Sequence, residues 1–127
     1  MIASMNAQII IQQLQGKYPN KNIVKLPENN PTEIICEAEP TSEHPNYSKA
    51  IVVIDQSLPH FHTKSTEEYT ITKGALTITK EGKDYTIPEG QSFIIYPMEV
   101  HSAKGDATWV EVISVPGWTP DDHIIKE

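Results

Sequence analysis

The side chains best suited to chemistry are gathered in His60-Phe61-His62-Thr63-Lys64-Ser65-Thr66-Glu67, a run followed by Gly74. In an extended strand, residues two apart point the same way, so His60 and His62 share one face. The four residues between His62 and Glu67 leave room for a tight turn, after which Glu67 returns on the next strand toward the same point. His101, preceded by Gly90 and Pro97, is the fourth candidate. Three imidazoles and one carboxylate form a ligand set for one divalent transition metal ion such as Fe, Mn, Zn or Ni. An ion of octahedral preference held by four side chains keeps two positions for water or for a bidentate oxygen ligand, such as an enediol, a hydroxy-ketone or a carboxylate. Its residual positive charge would polarise a carbonyl or stabilise an enolate.

Two further residues are candidates for proton transfer. Tyr69, two positions beyond Glu67, shares its face and is either a hydrogen-bond donor or acid/base beside the ligands, or an aromatic lining of the interior. Glu111 stands among Trp109, Val110, Val112 and Ile113. If its face turns inward it is a buried carboxylate able to accept a proton; if outward, Trp109 and Ile113 are exposed or covered by a partner subunit. His44 and His123, in proline-flanked and tail segments, read as surface residues, Cys36 as a small buried hydrophobe, and Trp118 as a packing lid.

The elements that must position these groups are short and strand-like. Ser4 to Gln15 reads as an amphipathic helix with Gly16 at its C-cap, although Ile9-Ile10-Ile11 could equally open a strand. Ile23 to Pro31 is turn-rich. Strands are expected over Glu33–Glu39, Lys49–Asp55, Glu68–Lys73, Leu76–Lys80, Lys83–Ile87, Phe93–Tyr96, Val100–Ala103 and Thr108–Val115. Glu81-Gly82 is a hairpin turn and Lys104-Gly105-Asp106 a turn between the last two strands. Pro120-Asp121-Asp122 can start a single helical turn. Short strands at regular spacing with Gly and Pro turns imply an all-β domain, an antiparallel sandwich or jelly-roll barrel.

With 127 residues the chain is one domain's worth, and its formal charge of −7 argues against nucleic acid and anionic membrane surfaces as partners. A single cysteine allows no internal disulfide. Met1 to Gly16 lacks the basic region of a secretory signal, and no apolar run reaches the length of a membrane span, so a cytoplasmic location is expected. The sequence contains no arginine, the preferred bidentate clamp for phosphate, which disfavours a sugar-phosphate ligand.

The run His60-x-His62-x4-Glu67-x6-Gly74 resembles the first motif of the cupins, and Gly90 with His101 eleven positions on resembles the second. The fifteen residues between Gly74 and Gly90 match the short spacing of compact members. Ile54, Tyr96, Met98 and Gly105 depart from the usual pattern, but none of them replaces a ligand. The resemblance implies a cupin-type jelly-roll β-barrel. Its core would span residues 49–116, with an N-terminal helix or strand extension over 1–48 and a tail over 117–127. It also implies that His60, His62, Glu67 and His101 bind one metal ion near the barrel axis, with a small molecule as ligand or substrate. Dioxygenase, isomerase, lyase and cyclase chemistries all occur on this frame. A metalloenzyme of dioxygenase or isomerase type is expected; the alternative is a module that binds or senses a small molecule without turnover. A general base beside the metal would favour the enzyme, and a purely aliphatic lining the binding module. Open sheet edges suggest a homodimer, formed through the Glu33–Glu39 strand and the apolar N-terminal segment.

Overall fold

The structure is a computed structural model that describes residues 5–127. It opens with helix α1 (Ala7–Lys17), capped by Asn6, whose side chain accepts a hydrogen bond from the Ile9 amide. The expected helix is therefore present; its first expected residue, Ser4, lies outside the described residues. Gly16 does not end it, since the helix runs on to Lys17 and Tyr18 closes it by donating to the Leu14 carbonyl.

Nine strands follow: β1 (Ile23–Leu26), β2 (Glu33–Glu39), β3 (Ser48–Phe61), β4 (Thr66–Lys73), β5 (Ala75–Lys80), β6 (Lys83–Pro88), β7 (Ser92–Ile95), β8 (His101–Val115) and β9 (Ile124–Ile125). They form one antiparallel sheet ordered β1-β2-β3-β8-β4-β7; β5 joins β8 and β6, and β9 joins β3. The architecture is the expected all-β jelly roll, in a sheet that curls without closing. Among the described residues no helix is long and apolar enough to cross a membrane.

Two long strands organise the molecule. β3 shifts register between Ile54 and Gln56 and again between Ser57 and His60, so one strand serves two parts of the curl. β8 does likewise: its first part, His101 to Lys104, pairs with β5 and its second, Trp109 to Val115, with β4. The expected turn at Lys104-Gly105-Asp106 is thus a bulge within a continuous strand. Thr108 Oγ1 accepts from the Asp106 amide and donates to the Ala75 carbonyl, and Asp55 accepts from the Ala107 amide, so the displaced backbone groups are satisfied inside the protein. The Glu81-Gly82 turn is a two-residue hairpin with positive φ at both positions, as its sequence indicates.

Two cores flank β2 and β3. Ile35, Val52, Ile54, Tyr69, Ile71, Val110 and Val112 face the interior of the curl. On the opposite face, Ile34, Cys36, Ile51 and Val53 are covered by Ile10 and Leu14 of α1. Burial on both faces is why Ile34-Ile35-Cys36 and Ile51-Val52-Val53-Ile54 are unbroken apolar runs rather than alternating ones. The same packing bears on assembly. β2 lies between β1 and β3 and has no free edge, and α1 packs on its own sheet, so neither is available for pairing in the way the sequence suggested.

Candidate metal centre

His60 closes β3, His62 follows that strand's end, Glu67 lies in β4 and His101 opens β8. The register shift between Ser57 and His60 brings His60 directly opposite His101. One ligand-type atom from each of the four residues lies within 4.8 Å of the other three, and all four residues are buried. Ring centroids stand 4.2 Å apart for His60 and His101 and 5.1 Å for His60 and His62.

The tautomers follow from the partners. His60 Nδ1 lies 2.7 Å from the Leu58 carbonyl, His62 Nδ1 2.5 Å from that of Asp122, and His101 Nδ1 2.9 Å from that of Glu99. A carbonyl can only accept, so each Nδ1 carries the proton and each Nε2 presents a bare lone pair. Yet His62 Nε2 and His101 Nε2 approach Glu67 Oε1 to 3.0 and 3.4 Å. Buried acceptors face one another there, and among the described residues none of these three atoms finds a satisfying hydrogen bond. Only a cation between them, a proton or a metal ion, makes such a cluster favourable. The residues therefore fit a divalent metal.

The electrostatics point the same way. Burial, with His101 and His123 close by, lowers the His60 pKa to about 3, leaving its lone pair free. Burial works against ionisation of Glu67, but His101 and His62 outweigh it and hold the carboxylate well below its ordinary range. Burial likewise opposes protonation of His62, while Glu67 draws its pKa upward. Ser114 Oγ donates to the second Glu67 oxygen at 3.4 Å.

Around the cluster is a cavity of about 40 Å³, room for an ion and a few ligand atoms, lined in part by Glu33, Tyr69, Trp118 and His123. Tyr69 is on the inward face, its ring edge-on to His101 at 6.3 Å. Burial, then the charges of Glu67 and Glu33, raise its pKa well above the usual phenol value, so the hydroxyl keeps its proton. Glu111 is on the other face: Val110 and Val112 point inward, and Glu111 is half-exposed, 3.7 Å from Lys49. Trp109 beside it packs against the α1 core of its own chain, without need of a partner subunit.

Three residues near the site were not picked out from the sequence. His123 is not a free surface residue: it stacks on His60 at 4.2 Å, near parallel, and burial lowers its pKa to about 4. Asp122 accepts from the Thr63, Lys64 and Ser65 amides and from Thr63 Oγ1, while its carbonyl orients His62. Burial opposes its ionisation, yet those bonds keep its pKa below the ordinary value. Glu33, at the start of β2, is buried, and burial followed by the Glu67 charge raises its pKa to about 7. In the sequence Glu33 only borders the apolar run Ile34-Ile35-Cys36, which does not alternate and so leaves the inward face undecided.

The fold is shared with proteins of distant sequence. Pac13 from Streptomyces, described as a nucleoside dehydratase, superposes with a TM-score of 0.72 at 11% identity, over 85% of this chain and 88% of that one. A protein from Planctomyces limnophilus gives 0.68 at 20% identity, over 85% and 92%. KdgF from Halomonas sp. gives 0.64 at 19% identity, over 80% and 91%. Among curated proteins none matches the sequence. Residues 50–116, which carry all four converging side chains, match the model of the cupin domain, and the chain belongs to that family.

Proposed function

We propose that this cupin holds one divalent transition metal ion on His60, His62, Glu67 and His101 and is a metalloenzyme acting on a small oxygenated metabolite. The observation that carries this reading is the set of bare, buried acceptors aimed at one point: His62 Nε2, Glu67 Oε1 and His101 Nε2. A bound ion supplies Lewis acidity at its free positions. The chain's own part is to hold the imidazoles by their Nδ1–H groups, to fix Glu67 through Ser114, and to place the protonated Tyr69 hydroxyl at the chamber wall. A hydroxyl kept protonated there can donate to an oxygen of the bound metabolite as negative charge develops on it. Buried titratable groups in the lining, Tyr69 and Glu33, favour turnover over mere binding, and isomerase-type proton transfer over dioxygenation.

The test is elemental. Purified or reconstituted protein should carry about one ion per chain, and His62→Ala should lower the affinity by roughly a hundredfold, since ligand and orientation are lost together. Protein that takes up no transition metal would end this reading. We also propose a symmetric homodimer. The free strand edges among the described residues are those of β1, β6, β7 and the short β9, and β7 carries the exposed Ile94.

A further inference from the structure

The face of β2 toward the chamber is acidic. Glu33, Glu37 and Glu39 all line it, and two of the three have partners. Glu37 accepts from Asn22 Nδ2 at 2.5 Å; Glu39 accepts from the Tyr47 hydroxyl at 2.8 Å and lies 3.9 Å from Lys49 Nζ. Glu33 differs. It is 8% exposed, and among the described residues nothing donates a hydrogen bond to its carboxyl. Its oxygens are not sealed off as those of the His/Glu cluster are, so the carboxyl lining the chamber is open to a partner that binds there.

The chamber's charge narrows what that partner is. Among the described residues Lys49 is its one permanently cationic side chain, already shared between Glu39 and Glu111. With no arginine in the chain, nothing there is built to clamp a carboxylate or phosphate. Access agrees with this. Glu33, Trp118 and His123 line both the chamber and an adjoining groove of about 670 Å³, so Glu33 stands where a ligand passes from the groove to the four-residue cluster.

We propose that Glu33 anchors the ammonium group of the ligand, and that the chamber takes a small hydroxylated amine, hydroxyl oxygens toward the His/Glu cluster and nitrogen on Glu33. This inference rests on the chamber being the ligand site of the proposed function. It adds that ligand charge is selected, with amines preferred, neutral polyols weaker and acids excluded.

Three probes of matched size separate these cases: 2-amino-1,3-propanediol, glycerol and glycerate. Each is titrated by NMR at pH 7.5 into the zinc-loaded protein, with zinc content measured. The amine should bind about tenfold more tightly than glycerol, and glycerate most weakly, as expected for a charge-assisted hydrogen bond in a shielded site. Glu33→Gln should reduce the amine to glycerol's affinity with zinc content unchanged, whereas Glu37→Gln should keep the preference. Should the glutamine variant not fold, Glu33→Leu serves the same comparison. Glycerate binding best, a preference that survives loss of the Glu33 charge, or no binding by any probe would overturn the proposal. Failure to take up zinc would instead count against the metal reading, and the same titrations on the metal-free protein would still decide the charge preference.

Discussion

Tyr69→Phe removes one oxygen and leaves the ring packed in the interior, so it separates chemistry from scaffold. Metal content should be unchanged. Turnover, assayed across hydroxy-ketones and enediols, should fall by roughly a hundredfold if the hydroxyl transfers the proton. Full activity in that variant would remove Tyr69 from the mechanism, and Glu111, on the outer face, could not take its place. Glu33 makes a prediction about pH. Its folded pKa of about 7 lies above the ordinary 4.5. Between those values the folded state keeps a proton that the unfolded chain has released. Its contribution is therefore fully present below pH 4.5 and is lost as pH rises through 7. His60 and His123, lowered to about 3 and about 4, act oppositely: their contribution is lost as pH falls below 6.5, where the unfolded chain binds protons first. In metal-free protein, urea denaturation of the native sequence and of Glu33→Gln should diverge between pH 4.5 and 7. Relative to that variant, the native sequence should lose on the order of 3 kcal/mol of stability across that window. Parallel curves for the two proteins would show that Glu33 is not held in its protonated form.

At the level of elements, the bulge in β8 decides whether His101 reaches the cluster. A Cβ at Gly105 would lie 2.8 Å from the Ile54 carbonyl oxygen, and a backbone atom inside a paired strand cannot step aside. Gly105→Ala should cost about 1–3 kcal/mol in denaturant melts. An unchanged midpoint would mean that the bulge can relax. This bulge also shows what was legible beforehand. Lys104-Gly105-Asp106 has turn composition, and nothing local says that Asp55 and Thr108, across the sheet, will absorb its free amides. β1 was missed for a similar reason: four half-buried residues at an edge, set among prolines and asparagines, acquire strand structure only by pairing with β2. The four converging side chains were legible because strand period and a tight turn fix three of them within eight residues. His123 and Asp122 were not, since they reach the site only when β9 pairs with the end of β3.

On the scale of the whole molecule, β2 and β3 act as a partition. One face lines the chamber interior and the other is closed by α1, so the helix supports the chamber wall without touching the ligand set. With β2 paired on both sides, a homodimer built by strand pairing must use the outer edges. Light scattering should report two chains per particle, and a monomer at high concentration would contradict the proposal. The Asp122 clamp has a consequence for the order in which the protein is made. All four converging side chains have been synthesised once His101 has, and the whole family match once residue 116 has. The carbonyl that fixes the His62 ring and the carboxylate that ties down Thr63 to Ser65 come later still. A nascent chain therefore carries all four converging side chains, and the carbonyls that orient His60 and His101, before it carries the one that aims the His62 ring.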